Sequence, residues 1–202
     1  MDKLTYEREL FQKGFKYICG VDEVGRGPLA GPVVCAAVIM PLDDIIEGVD
    51  DSKKLSAKKR EILAAKIQKK AIACHISLIE PQIIDEINIL EATKLCMKNA
   101  VEGLEISPDY VLTDGNMVLD IAIPQQSIVK GDAKSYLIGA ASIIAKVYRD
   151  SLMDELAVTY PQYDFKSNKG YGTKKHIQGI IDAGICPVHR KTFVKKWYSE
   201  QI

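Results

Sequence analysis

An apolar run over residues 17–21 ends on two adjacent carboxylates, Asp22 and Glu23, and passes at once into Gly25-Arg26-Gly27-Pro28. Such a run, bounded by turn residues, reads as a buried strand. Burying unpaired carboxylates is costly, and a bound cation is the usual remedy. The glycines permit close backbone approach, and their N–H groups can receive an anion. Acids that hold a metal beside a loop that holds an anion point to phosphate chemistry. Neighbouring strand residues face opposite sides of a sheet. Asp22 and Glu23 are therefore expected to reach one point only if the strand breaks at Glu23, and Gly25 is placed to allow that break.

Two further strand ends carry the same signature. Residues 110–113 end at Asp114-Gly115, and a run closing at residues 128–129 is followed by Lys130-Gly131-Asp132. Ligand sites in open α/β sheets gather at the carboxyl ends of strands. If the first and fourth strands are parallel neighbours, Asp22 and Asp114 share an edge. Asp132, at the start of a helix expected over 133–157, can point to the same place. Taken singly each acid has a plainer reading, because Asp-Gly is a common turn and Asp suits a helix start. Recurrence at three strand ends favours a metal centre, since four carboxylates around one point repel unless divalent cations lie among them. Two magnesium ions held this way suit phosphoryl transfer, one activating a water and the other stabilising the leaving 3′-oxygen.

The remaining pattern supplies a scaffold. Strands are expected over residues 17–22, 32–40, 72–79 and 110–113, with a fifth closing at 128–129. Helices are expected over 2–14, over 57–71 behind a Ser56 cap, over 81–87, from an Asn88 cap onward, and over 174–183 up to Gly184. Ile62, Leu63, Ile67 and Ala71 share one helical face, and Leu90, Met97, Val101 and Leu104 another. Residues 164–173 read as a polar loop. This order favours an α/β sheet with helices on both faces, its first three strands an antiparallel meander.

Formal net charge is zero, yet residues 164–202 carry eight Lys/Arg against three acids, and residues 1–50 nine acids against five bases. That asymmetry allows an acidic centre beside a basic surface. The five cysteines form no C-x-x-C pair and read as reduced, mostly buried thiols; three histidines without an H-E-x-x-H pattern argue against zinc. No apolar run reaches membrane-spanning length, and residues 1–16 are charged and lack a signal-peptide core, so a cytoplasmic protein is expected.

Asp22-Glu23-Val24-Gly25-Arg26-Gly27-Pro28-Leu29-Ala30-Gly31-Pro32 resembles the opening motif of type 2 ribonuclease H, ribonuclease HII. The likeness continues through Asp51-Ser52-Lys53-Lys54-Leu55, Asp85-Glu86-Ile87-Asn88, Thr113-Asp114-Gly115-Asn116, Lys130-Gly131-Asp132 and Ala140-Ala141-Ser142. It ends with Arg149-Asp150, Lys169-Gly170-Tyr171-Gly172-Thr173, His176 and His189-Arg190. Each motif is weak alone; in this order they are specific, and they cover nearly the whole chain. The resemblance implies a ribonuclease H-like α/β fold, a five-stranded mixed sheet flanked by helices with a C-terminal helical extension. The catalytic domain would span residues 1–160, with a basic substrate-binding part over 161–202 packed on it.

By the same resemblance Asp22, Glu23, Asp114 and Asp132 are the catalytic, metal-binding set for two Mg2+ or Mn2+ ions. Gly25, Arg26 and Gly27 form the loop that detects a 2′-hydroxyl, largely through backbone groups. Lys53 and Lys54 contact phosphate. Tyr171 stacks on the sugar beside the scissile phosphate, from a glycine-flanked and therefore flexible mount. The implied activity is endonucleolytic: cleavage of the RNA strand of RNA–DNA hybrids, and nicking 5′ of ribonucleotides embedded in duplex DNA, leaving 5′-phosphate and 3′-hydroxyl ends. The implied partners are those two nucleic acids, with a monomeric enzyme and no evident sliding-clamp peptide at the C-terminus. The sister type, ribonuclease HIII, has a Gly-Thr-Gly-like loop and an extra N-terminal domain; here the loop is Gly25-Arg26-Gly27, and only about twenty residues precede Asp22. Two other readings compete: a structure-selective or transposase-like nuclease, and a non-catalytic hybrid-binding module. The Gly-Arg-Gly loop opposes the first and the intact carboxylates the second.

Overall fold

The computed structural model describes residues 2–198. Five strands form one mixed sheet in the order β3-β2-β1-β4-β5. They are β1 (Ile18–Val24), β2 (Val33–Ile39), β3 (Ala73–Ile79), β4 (Tyr110–Asp114) and β5 (Gln125–Ile128). The first three strands are antiparallel neighbours, and β4 and β5 extend the sheet in parallel from β1.

Alternation along the strands builds two cores. Ile18, Val34, Ala36, Val38 and Leu112 face the helices α1 (Thr5–Gln12), α2 (Ala57–Lys70) and α5 (Tyr136–Thr159). Cys19, Val21, Val33, Cys35 and Val111 face α3 (Pro81–Glu102). The lone glycine inside β1 has a packing reason: a Cβ on Gly20 would drive into the Leu137 backbone at the start of α5. The fully buried Ala140 and Ala141 likewise let α5 lie close against the sheet. A third cluster joins Leu29, Ala30 and Met153 to Tyr163, Phe165, Ile180, Cys186 and Val194 of the C-terminal part. That part carries α6 (Phe165–Asn168), α7 (Lys174–Ala183) and α8 (Lys191–Val194). Residues 199–202, the end of the basic segment and of the stretch expected to lack a clamp-binding peptide, lie outside the described residues.

Several expectations need correction. The strand does not break at Glu23: β1 continues to Val24, and Glu23 pairs with Cys35 of β2. The helix expected over 133–157 is two helices, α4 (Gly131–Lys134) and α5, parted at Ser135, whose hydroxyl caps α5 by accepting from the Ile138 amide. Asp132 therefore belongs to a short turn of its own. Ile62 and Leu90 point to solvent, while Leu63, Ile67, Met97, Val101 and Leu104 of their stripes are buried. The loop over 164–173 contains α6, with Phe165 fully buried. Asn88 does start a new helical segment, since its φ of 68° interrupts α3 and its Oδ1 accepts from the Leu90 and Glu91 amides. Cys74 is half-buried, and the other four thiols are buried and free.

Candidate active site

β1 and β4 run parallel in register only as far as Val21 opposite Thr113. Beyond that pair the ladder opens, although β1 is still bonded to β2 on its other side. Asp22 leaves the α5 face and Glu23 the α3 face, yet at the open edge no hydrogen-bonded strand separates the two faces. Both carboxylates can therefore turn to the position where β4 ends in Asp114. Oxygens of Asp22, Glu23 and Asp114 lie within 4.8 Å of one another. The edge achieves what a broken strand was expected to do.

Asp114 also builds the next element. Its Oδ1 accepts from the amides of Gly131, at 2.6 Å, and Asp132, at 3.3 Å, so it caps α4. A Cβ on Gly131 would meet the Ile138 Cδ1 methyl at 2.6 Å and force that side chain to shift. The turn is held from behind by Glu7 of α1. This fully buried carboxylate accepts from the Ser135 hydroxyl, at 2.5 Å, and the Leu137 amide, at 3.2 Å. Asp132 is buried beside Asp114, but it stands outside the group of three, and its Oδ2 faces the Lys53 ammonium at 3.3 Å. Lys53 is delivered by a hydroxyl pair, Ser52 with Ser142 at 2.9 Å. Ser142 also lies near enough to Asp22 to favour its ionised form. Lys54 turns instead to Asp50, at 3.5 Å.

The electrostatics mark this as a place for cations. Burial, with Glu23 and Asp114 close by, raises the Asp22 carboxyl well above its usual range. Burial raises Glu23 to about 7, against the pull of Arg26 at 3.5 Å and with Asp114 adding to the rise. Asp132 is raised by burial and then by Asp114 and Asp51, against the pull of Lys53. Burial works against the Lys53 charge, yet Asp132, Asp51 and Asp22 together push its pKa up. Glu23 Oε2 is buried and has no hydrogen-bond partner. A hard divalent cation among these oxygens would relieve the repulsion and partner that atom, so the donor set fits Mg2+ or Mn2+.

The Gly-Arg-Gly loop lies next to the carboxylates and rests on two buried arginines. Arg190 donates to the carbonyls of Gly25 (2.5 Å), Arg26 (2.9 Å) and Gly31 (2.8 and 3.1 Å). Arg149 donates to Pro32 (3.0 Å), Ala30 (3.1 Å) and Lys169 (2.9 Å). Both are fully buried, and burial lowers their pKa values to about 10 for Arg149 and about 9 for Arg190. They remain cationic at neutral pH, balanced by carbonyl dipoles. In a trans peptide the C=O and N–H point opposite ways. With the Gly25 and Arg26 carbonyls turned inward, the amides of Arg26 and Gly27 point outward, and among the described residues neither donates to a protein acceptor. Gly25 holds φ +95°, and a Cβ there would collide with the Arg149 side chain.

Tyr171 is half-exposed beside this loop; a Cβ on Gly27 would lie 3.5 Å from its ring. Its mount is braced rather than flexible. Gly170, at φ +87°, lies so near the Ala30 carbonyl that a Cβ could not fit, and its amide donates to Asn168 Oδ1 at 2.8 Å. The Leu29 amide donates to the Gly170 carbonyl at 2.8 Å. The structure thus brings Asp22, Glu23, Asp114, Asp132, Lys53, the loop over 25–27 and Tyr171 together, and leaves Lys54 on Asp50. In the sequence Ser142 reads as a small packing residue, and Arg149, Arg190, His176 and His189 as motif members without roles. Their only local signal was polarity inside otherwise apolar or turn-rich stretches.

Comparison with known proteins agrees with this geometry. Residues 19–200 match the family model described as ribonuclease HII. A ribonuclease HII of Caldicellulosiruptor saccharolyticus is 53% identical over 189 residues, covering 94% of this chain and 92% of the relative. One of Listeria monocytogenes is 56% identical over 188 residues, covering 93% and 72%. Among solved structures, the ribonuclease H2 from Pyrococcus horikoshii superposes with a TM-score of 0.76 at 30% identity, covering 90% of this chain and 97% of that one.

Proposed function

The chain belongs to the ribonuclease HII family of ribonuclease H endonucleases, and from that premise we propose the substrate and the chemistry. It cleaves the RNA strand of RNA–DNA hybrids and nicks duplex DNA 5′ of an embedded ribonucleotide, leaving 5′-phosphate and 3′-hydroxyl ends. The observation that carries this reading is the convergence of Asp22, Glu23 and Asp114 oxygens within 4.8 Å at an open sheet edge. Outward amides and an exposed tyrosine stand beside it.

Asp22, Glu23, Asp114 and Asp132 would hold two Mg2+ or Mn2+ ions. When bound, such ions supply a water of lowered pKa and stabilise charge on the leaving oxygen. The protein's own groups do the rest. The Arg26 and Gly27 amides donate to a 2′-hydroxyl and go unpaired opposite deoxyribose, a difference of about 1–3 kcal/mol. Tyr171 packs its ring on the adjoining sugar. Lys53, and Lys54 once free of Asp50, take phosphate oxygens. The basic C-terminal part over 161–202 extends that contact.

The test is a labelled DNA duplex with a single ribonucleotide. With Mg2+ or Mn2+ the protein should nick on the 5′ side of that residue, leave a ligatable 3′-hydroxyl, and stop on addition of EDTA. A mobility shift without cleavage would make it a binding module, and cuts independent of the ribonucleotide a different nuclease.

Proton linkage offers a second test. In the metal-free protein the Glu23 pKa is raised from 4.5 to about 7. Its contribution to folding is therefore complete below pH 4.5 and is lost as the pH rises through 7. A bound cation removes that loss. The gain in Tm on adding Mg2+ or Mn2+ to EDTA-treated protein should be larger at pH 8 than at pH 5.5, by about 5 °C. Equal gains at both pH values would take Glu23 out of the ligand set.

A further inference from the structure

Behind Tyr171 lie two buried histidines. His176 of α7 is fully buried and His189 is 3% exposed. Their Nε2 atoms are 3.0 Å apart. On the far side, His189 Nδ1 is 2.9 Å from the Cys186 amide nitrogen and 3.1 Å from its Sγ. On the near side, His176 Nδ1 is 2.9 Å from the Tyr171 carbonyl, which also accepts from the Thr173 amide at 2.8 Å. The rings of Tyr163 and Phe165 close the box, with centroids 4.6 Å from His189 and 5.2 Å from His176 respectively.

The proton positions follow from the partners. A backbone N–H can only donate, so His189 Nδ1 carries a lone pair. A neutral His189 then holds its proton on Nε2 and donates it to His176 Nε2, which must be unprotonated. A neutral His176 is left with its proton on Nδ1, facing a carbonyl that can only accept. Every bond in the chain runs one way, from Cys186 to Tyr171. A proton added to either ring would set two donors face to face. Burial disfavours that proton in any case, lowering His176 and taking His189 to about 4.

We propose that His176 and His189 form a one-way hydrogen-bond relay that fixes the Tyr171 carbonyl and so holds the Tyr171 ring beside Gly27. Both are positioning residues and meet no substrate; the proposal rests on the reading of Tyr171 as the sugar-contacting ring. It explains why an exposed tyrosine between two glycines has a set direction. It also links the C-terminal part to substrate discrimination without a basic surface: the isolated bridge between Ala30 and His189 ties the relay to the segment that follows the Gly-Arg-Gly loop.

The experiment compares His176→Leu, His176→Asn and Tyr171→Ala with the natural protein. The readout is the cleavage rate on a single-ribonucleotide duplex divided by that on a uniform RNA–DNA hybrid. His176→Leu removes the donor and should shift this ratio about tenfold, the effect of one lost hydrogen bond, acting on kcat more than on KM. His176→Asn retains an N–H near the Nδ1 position and should restore the ratio to within about threefold. In parallel, long-range 1H–15N spectra of the natural protein at pH 7 should show both rings neutral, His176 as the Nδ1–H tautomer and His189 as the Nε2–H tautomer. A folded His176→Leu with an unchanged ratio, where Tyr171→Ala changes it, overturns the relay. So does a cationic ring, or the same tautomer on both, and that spectrum decides the matter if His176→Leu does not fold. An unchanged ratio in Tyr171→Ala instead overturns the reading of Tyr171, while the tautomers still judge the relay.

Discussion

Replacing Asp22 with Asn is expected to lower cleavage by roughly a thousandfold or more while duplex binding persists. Losing one electrostatic stabiliser from an active site costs about 10²–10³ in rate. Asp22 has oxygens within 4.8 Å of those of both Glu23 and Asp114, so its loss removes one of three convergent ligands. A neutral amide ligates a hard cation poorly. The fold should tolerate the change. Asn keeps an oxygen to accept from the Glu23 amide, now 2.8 Å from Asp22 Oδ1, and it removes one of three mutually repelling charges. The metal-free variant should therefore melt at a higher temperature than the natural protein, and the gain from added Mg2+ should shrink. Binding is carried by phosphate contacts and should change little. Single-turnover cleavage, fluorescence anisotropy and thermal melting on one preparation separate these effects. Near-normal turnover in Asp22→Asn would sink the metal-centre assignment.

Arg190→Lys, conservative on paper, is expected to be the second most damaging change. The guanidinium reaches three carbonyls, Gly25, Arg26 and Gly31, from one planar fork. An ammonium is a single point on a flexible stem and cannot serve carbonyls so spaced. Leaving a buried charge and carbonyls poorly matched costs about 3–5 kcal/mol, or about 10 °C in Tm for a chain of this size. The freed Gly25 and Arg26 carbonyls would turn toward water, and the Arg26 and Gly27 amides would turn with them, since each peptide unit is rigid. Discrimination between ribose and deoxyribose should then fall together with the rate, whereas affinity for plain duplex DNA should hold. Thermal melting and the rate on the single-ribonucleotide duplex are the measurements. A variant with unchanged Tm and unchanged rate would show that the loop does not depend on Arg190.

Much of the scaffold is legible in the chain itself. Apolar runs punctuated by glycine and aspartate mark the strands because strand formation and turn chemistry act over a few residues. Ser56, Asn88 and Gly184 mark helix ends for the same reason, and all three are found there. The carboxylates at three strand ends were visible as a pattern. Their convergence was not, because it depends on the β1–β4 ladder opening after Val21 and Thr113, a fact of registry between strands some 90 residues apart. One strand taken alone would need a break at Glu23, which the open edge makes unnecessary. Equally hidden were the groups that hold the site from behind. Arg190 counts in the sequence as one more base in a basic segment, yet it is fully buried under carbonyls lying 159 to 165 residues earlier. Glu7 looks like a surface acid of a short helix, yet it anchors Ser135 across 128 residues. Sequence by itself determined which residue types lie at strand ends, since that chemistry is local. Only the tertiary structure decided which buried charges are neutralised, because a carbonyl or a hydroxyl becomes a partner only where the folded backbone turns it inward.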